Sequence, residues 1–206
     1  MLSNKAYPQE YSKFKEQVLR GEIPVNRWIS LQMNRIDFLI ESPDYFYDDQ
    51  AIEGFVRFCE DEMTLTDGSD VTLLPSFRVW AEDALAWYYE SNDRVFNPKT
   101  GRWEMRKRMK RLTRKQFLIV GRGAAKSLYS TFLQTYMLLI DPSTTHQIVT
   151  APTMKQAEEI MAPIRTALSR AKGPLIRYMV EGSKMTGNMQ QKQLLSSTKK
   201  GIENFA

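Results

Sequence analysis

Residues 117–130 read FLIVGRGAAKSLYS. A short apolar run drops into small residues, then Lys-Ser, then an apolar-periodic segment. That is the order of a phosphate-binding loop between a strand and a helix. Such a loop needs backbone N–H groups converging on an anion, and small residues permit this because no side chain intervenes. It also needs a helix starting there, whose first amides and dipole favour negative charge. Gly121, Gly123, Ala124 and Ala125 supply the small residues. Lys126 stands where a lysine reaches the β- and γ-phosphates of ATP, and Ser127 where a hydroxyl takes Mg2+. Yet Val120 and Ala125 occupy the two fixed glycines of the standard pattern G-x-x-x-x-G-K-[ST]. Alanine at 125 is tolerable only if the backbone there stays near the right-handed α region. The plain alternative is a ligand-free turn between strand and helix.

Working outward, the pattern predicts a strand at 116–120, a helix from Lys126 to about Ile140, a strand at 146–150 and a helix after Ala151-Pro152-Thr153. Met154, Ala157, Met161, Ile164 and Leu168 recur at helical spacing in that last segment, and Pro163 predicts a kink or break within it. Short strands are expected near 175–180 and 192–196. Upstream, four helical patterns appear. The first carries Tyr11, Phe14 and Val18, and the second opens after Pro24 and stops before Pro43. The third turns Ile52, Phe55, Val56 and Cys59 inward, and the fourth runs from Ser76 through Trp80 to Trp87 or Tyr88. Helices followed by strand–helix–strand–helix imply an α/β chain. We read a helical N-terminal leader over 1–68, then over 69–206 the first part of a parallel-sheet, P-loop (ASCE-type) ATPase domain.

Composition narrows the class. The chain has 206 residues, one cysteine (Cys59) and one histidine (His146), so an internal disulfide or a His-rich metal cluster is excluded. No apolar run approaches the roughly 18 residues of a membrane span, and the polar start lacks a signal peptide's apolar region. An intracellular protein without a structural metal is the default. The net charge of +5 is unevenly placed: RWEMRKRMKRLTRK, residues 102–115, holds eight Lys/Arg against one Glu. Such a run either meets phosphates of nucleic acid or forms a solvated basic face or connector.

Arg122 stands four residues before Lys126. RGAAKS follows, apart from Ala125, the R-x-x-G-K-[ST] form of the large terminase subunits of tailed bacteriophages, which this sequence resembles. HQIVTAPTMKQAEEIM (146–161) resembles the strand and following segment those proteins share with helicase-like ATPases. The segments GEIPVNRWISLQMNRI, AIEGFVRFCEDEM and LLPSFRVWAEDALAWYYE resemble the leader and the region before the loop. The resemblance implies a motor ATPase that packages viral DNA into procapsids, using ATP and Mg2+. In it Lys126 and Arg122 would be catalytic, the backbone of Gly121, Arg122, Gly123, Ala124, Ala125, Lys126 and Ser127 would hold phosphates, and Ser127 would ligate Mg2+. Phe77, Arg78 or Trp80 would stand near adenine, since no glutamine follows Pro75 closely, with core packing the alternative for the two aromatics. Implied partners are double-stranded DNA, a portal protein, a small terminase subunit and further copies in a ring. The implied location is the host cytoplasm and, transiently, the procapsid.

An ATPase of this class also needs an apolar strand ending in Asp-Glu to hold Mg2+ and activate water. MLLID, residues 137–141, is a decoy at the end of the loop's helix, where Asp141 is expected as a surface acid. Neither that motif nor the nuclease domain implied by the resemblance is visible. The 206 residues therefore read as the N-terminal part of a longer protein that binds nucleotide without turning it over. Two other readings stay open: a helicase-like P-loop ATPase fragment, or a non-catalytic module binding DNA or a partner through 102–115.

Overall fold

The chain divides into two units, Met1–Gly54 with Leu74–Phe117, and Phe55–Leu73 with Leu118–Ala206. The structure, a computed structural model, describes residues 7–65, 67–119, 121, 125–141, 152–170, 172–174, 184–186 and 193–195.

In the first unit, helix α1 (Gln9–Leu19) begins after Pro8 without any cap from its own sequence. Its first amides are satisfied from elsewhere. The carboxylate of Glu82 accepts the N–H of Glu10 at 3.2 Å and of Tyr11 at 2.7 Å, and also the Tyr47 hydroxyl at 2.6 Å. Glu82 is 2% exposed, and burial raises its pKa despite these three donors. Helix α2 (Arg27–Glu41) has a local cap instead. Asn26 Oδ1 accepts the N–H groups of Trp28 and Ile29, both at 3.0 Å, which is why the helix starts three residues beyond Pro24. The core gathers Tyr11, Ile36, Leu39, Tyr47, Ala86 and Trp87, with Tyr47 edge-on to Trp87 at 5.2 Å. Tyr11 reaches out of it to donate its hydroxyl to Asp37, at 2.8 Å.

Helix α4 (Pro75–Leu85) ends before Trp87, contrary to the expectation that Trp87 or Tyr88 continues it. Ala86 caps it, and the aromatic run Trp87-Tyr88-Tyr89 enters strand β2 (Trp87–Asn97). Pairing explains the switch: Trp87 opposes Tyr47 of strand β1 (Tyr45–Tyr47), and its carbonyl accepts the N–H of Leu112 at 2.7 Å. Strand β3 (Arg102–Arg111) completes an antiparallel sheet of order β1-β2-β3. The turn between β2 and β3 carries its own chemistry. Asn97 Oδ1 accepts the Lys99 N–H at 3.0 Å, and Gly101 takes φ +66, the left-handed region that glycine enters without strain. The first ten residues of the basic stretch are therefore an edge strand, not a connector.

Helix α3 (Asp49–Arg57) contains the boundary between the units and continues into a π-helical turn, Phe58–Glu62. In the second unit, Phe55 and Phe58 meet Tyr136 of helix α5 (Lys126–Leu139) edge-on, at 5.4 and 5.5 Å. Helix α6 (Met154–Ser169) packs on α5 and buries Ile164 and Leu168. It runs through Pro163 without a break. Proline there forfeits one backbone hydrogen bond, and burial of the side chains on either side of the next turn offsets that loss. Beyond α6 the N–H groups of Lys172 and Gly173 donate to the Glu62 carbonyl at 3.1 and 3.2 Å. Strands β4 (Lys184–Thr186) and β5 (Gln193–Leu195) form a short antiparallel pair, the second falling where a strand is expected.

The chain is thus a mixed helix-and-sheet protein. The ladders among the described residues are antiparallel, so a parallel sheet is not among them. Residues 116–119 precede the loop outside any described strand, with Phe117 84% and Ile119 98% exposed. Val120 and the expected strands at 146–150 and 175–180 lie outside the described residues.

Candidate functional site

Ala125 adopts φ 50, ψ 28 at the N-cap of α5, and no other described non-glycine residue has positive φ. The right-handed geometry expected to make alanine tolerable is not what the backbone does. The chain takes the conformation that a glycine at this place in the motif would favour, and alanine bears the strain, on the order of 1–2 kcal/mol. The first helical bond runs from the Tyr129 N–H to the Ala125 carbonyl at 3.1 Å. The amides of Lys126, Ser127 and Leu128 therefore have no acceptor within the helix, and no side chain caps them.

Lys126 and Ser127 are both exposed in that first turn, while Tyr129 and Phe132, 1% and 2% exposed, fix the helix behind them. The helix carries no acid in its first turn to neutralise its positive end. Deeper in the helix, Thr131 and Thr135 turn their hydroxyls onto the carbonyls of Ser127 and Thr131, at 3.0 and 2.7 Å. Gly121 is exposed, and a side chain there would meet nothing within 4 Å. Open amides, a lysine ammonium and a serine hydroxyl at one helix start suit an oligophosphate with Mg2+: donors face the oxygens, and the hydroxyl is a hard ligand for the cation. These residues fit such a group.

The remaining expected site residues fall as follows. Arg122, Gly123 and Ala124 lie outside the described residues. Phe77 is 1% exposed on α4, its ring 5.6 Å from that of Trp80. Arg78 is partly exposed on the same helix, 3.9 Å from the Glu10 carboxylate. Asp141, expected as a surface acid, is instead 4% exposed. Its N–H donates to the Tyr136 carbonyl at 3.3 Å as α5 ends. The left-handed Ala125 was not readable from the sequence. Nothing in Ala-Ala-Lys-Ser signals it except the motif position itself.

Residues 100–206 match the family model of the terminase large subunit, ATPase domain. No curated protein and no solved structure matches the chain.

Proposed function

This chain belongs to the terminase large-subunit ATPase family, and from that premise we propose that it is the ATP-binding part of a motor that drives viral DNA into procapsids. The observation that carries the reading is the start of α5: a left-handed residue immediately before Lys126 and Ser127, with the helix's first amides open. Bound ATP with Mg2+ would supply the phosphoanhydride whose cleavage powers movement. The protein's own part is to hold and orient it. The Lys126 ammonium offsets charge on the β- and γ-phosphates, the amides of 121–126 cradle them, and the Ser127 hydroxyl ligates Mg2+. Arg122 senses or stabilises the γ-phosphate. Phe77 or Arg78 stands on the adenine side in this reading.

Turnover also requires a carboxylate to position water, and Asp141, at the end of a helix, is not an acid carried on a strand. Double-stranded DNA, a portal protein, a small terminase subunit and neighbouring copies in a ring are the partners of this reading, which places the protein in the host cytoplasm and transiently on the procapsid. No described helix is long and apolar enough to cross a membrane. The test is titration of a labelled ATP analogue with and without Mg2+. Wild type should bind more tightly with Mg2+, and Ser127→Ala should lose most of that difference. An analogue affinity indifferent to Mg2+ in wild type would overturn the metal assignment.

A further inference from the structure

The β2–β3 hairpin carries the chain's charge. Between Trp87 and Arg111 the acids are Glu90, Asp93 and Glu104, and the cations are Arg94, Lys99 and six on β3 alone, a balance of +5. The acids are engaged locally: Lys107 with Glu90 at 2.7 Å, Lys110 with Asp93 at 2.5 Å, Arg106 with Glu104 at 3.0 Å. Hydrogen bonds from Lys110 and from Asn97 hold the Asp93 and Glu104 carboxyls, respectively, below the usual carboxylate range, so both stay ionised. Among the described residues, Arg94, Lys99, Arg102 and Arg108 have no acid within 4 Å. Charges on an edge strand discourage strand addition, but either sign would serve that purpose. Six cations to one acid on β3 is a single sign, and it suits a polyanion.

The placement of these charges on both faces of the ribbon suits a duplex nucleic acid. The cross-strand register sets Arg94, Lys107 and Arg111 on one face of the ribbon and Arg102, Arg106, Arg108 and Lys110 on the other, with Lys99 in the turn. A protein partner docks on one face. A groove in duplex nucleic acid presents phosphates on both sides of whatever enters it, and a two-stranded ribbon is of a width that the major groove admits. Beyond the residues that also pair with β1, eight paired positions, Glu90–Asn97 with Arg102–Met109, give a two-stranded ribbon about 26 Å long at ~3.3 Å per residue. Its tip is apolar and exposed: Phe96 and Trp103, 48% and 58% exposed, meet edge-on at 5.5 Å, and the Arg94 guanidinium lies 5.3 Å from the Trp103 ring. We propose that the hairpin 87–111 is a duplex-DNA arm, with Arg102 and Arg108 on phosphates and the Phe96–Trp103 tip against the groove. The proposal rests on the packaging reading only for the identity of the polyanion as DNA; it does not require the nucleotide site.

The experiment is fluorescence anisotropy of a short labelled DNA duplex titrated with the full chain over a range of salt. The variants are Arg102→Ala/Arg108→Ala, Trp103→Ala, and a control of equal charge loss, Lys13→Ala/Arg20→Ala, on side chains 66% and 64% exposed. Thermal unfolding of each checks that it is folded. The hairpin double variant should bind about 10-fold or more weakly near 0.1 M salt, and its log K against log salt slope should fall by about 2, while the control stays near wild type. Trp103→Ala should weaken binding with an unchanged slope. Equal losses in hairpin and control variants would overturn the proposal. So would unchanged DNA affinity of the hairpin variants, which would leave the aromatic tip to a protein partner, and so would tighter binding of a single strand than of the duplex. Binding of an ATP analogue by the same hairpin variants should be unaltered, which separates failure of the arm from failure of the loop.

Discussion

Replacing Ala125 with glycine should stabilise the protein. The residue sits at φ 50, where an L-residue's Cβ crowds the backbone at a cost of about 1–2 kcal/mol. Glycine removes that cost but gives the unfolded chain more freedom, which takes back about 0.5–1 kcal/mol. The net is a gain of roughly 0.5–1 kcal/mol, or about 1–4 °C in Tm for a chain of this size. A mirror experiment exists within the same molecule. Gly101 has φ +66 with nothing within 4 Å of an added Cβ, so Gly101→Ala introduces the same strain with no clash and should lose about what Ala125→Gly gains. Chemical denaturation and thermal unfolding followed by circular dichroism measure both. A fall in stability for Ala125→Gly, alongside the expected fall for Gly101→Ala, would refute the left-handed assignment at the start of α5.

Other outcomes follow from the packing and hydrogen bonding. Glu82→Ala leaves the Tyr11 N–H and the Tyr47 hydroxyl without their acceptor in a buried place, and should cost about 2–4 kcal/mol in denaturant unfolding. Because burial raises the folded-state pKa of Glu82 above its ordinary value of 4.5, its titration favours folding most below pH 4.5, and that contribution is lost as pH rises through the raised value. The stability of wild type relative to Glu82→Gln should therefore shrink from pH 4.5 upward, and an advantage that grows with pH would contradict the assignment. Gly173→Ala would set a Cβ 2.7 Å from the Glu62 Cα, so the chain after α6 must shift; about 1–3 kcal/mol should be lost, with the N–H of Gly173 newly open to hydrogen exchange.

What was legible from the sequence depended on where the deciding interaction lay. Helices α1, α2, α3, α5 and α6 follow from apolar spacing because each turns a stripe of its own residues inward: Tyr11, Ile36 and Leu39, Ile52 and Phe55, Tyr129 and Phe132, Ile164 and Leu168. The end of α4 did not, because Trp80, Ala84 and Trp87 continue the helical spacing while the pairing of Trp87 with Tyr47, forty residues earlier, decides for a strand. The hairpin left a signal that helical reading obscures. Trp103, Met105 and Met109 are interspersed with Arg102, Arg106 and Arg108 just after a turn, Asn97-Pro98-Lys99-Thr100-Gly101, built of turn formers. The cap that Glu82 provides for α1 is between helices far apart in sequence, so no local pattern announces it. At the site, the order Lys126-Ser127 at a helix start was readable, and the strain at Ala125 was not, since the handedness of one residue leaves no trace in a string of small ones.

Whether the start of α5 holds a nucleotide's phosphates is decided by equilibrium binding of a labelled ATP analogue with Mg2+ to wild type and to Lys126→Ala. The lysine is exposed at the first turn, so its truncation leaves the core untouched and the variant should unfold as wild type does. The account predicts saturable binding by wild type and a loss of about 10-fold or more in Lys126→Ala, the scale of one charge-assisted contact to phosphate. Equal affinities for the two proteins would contradict it.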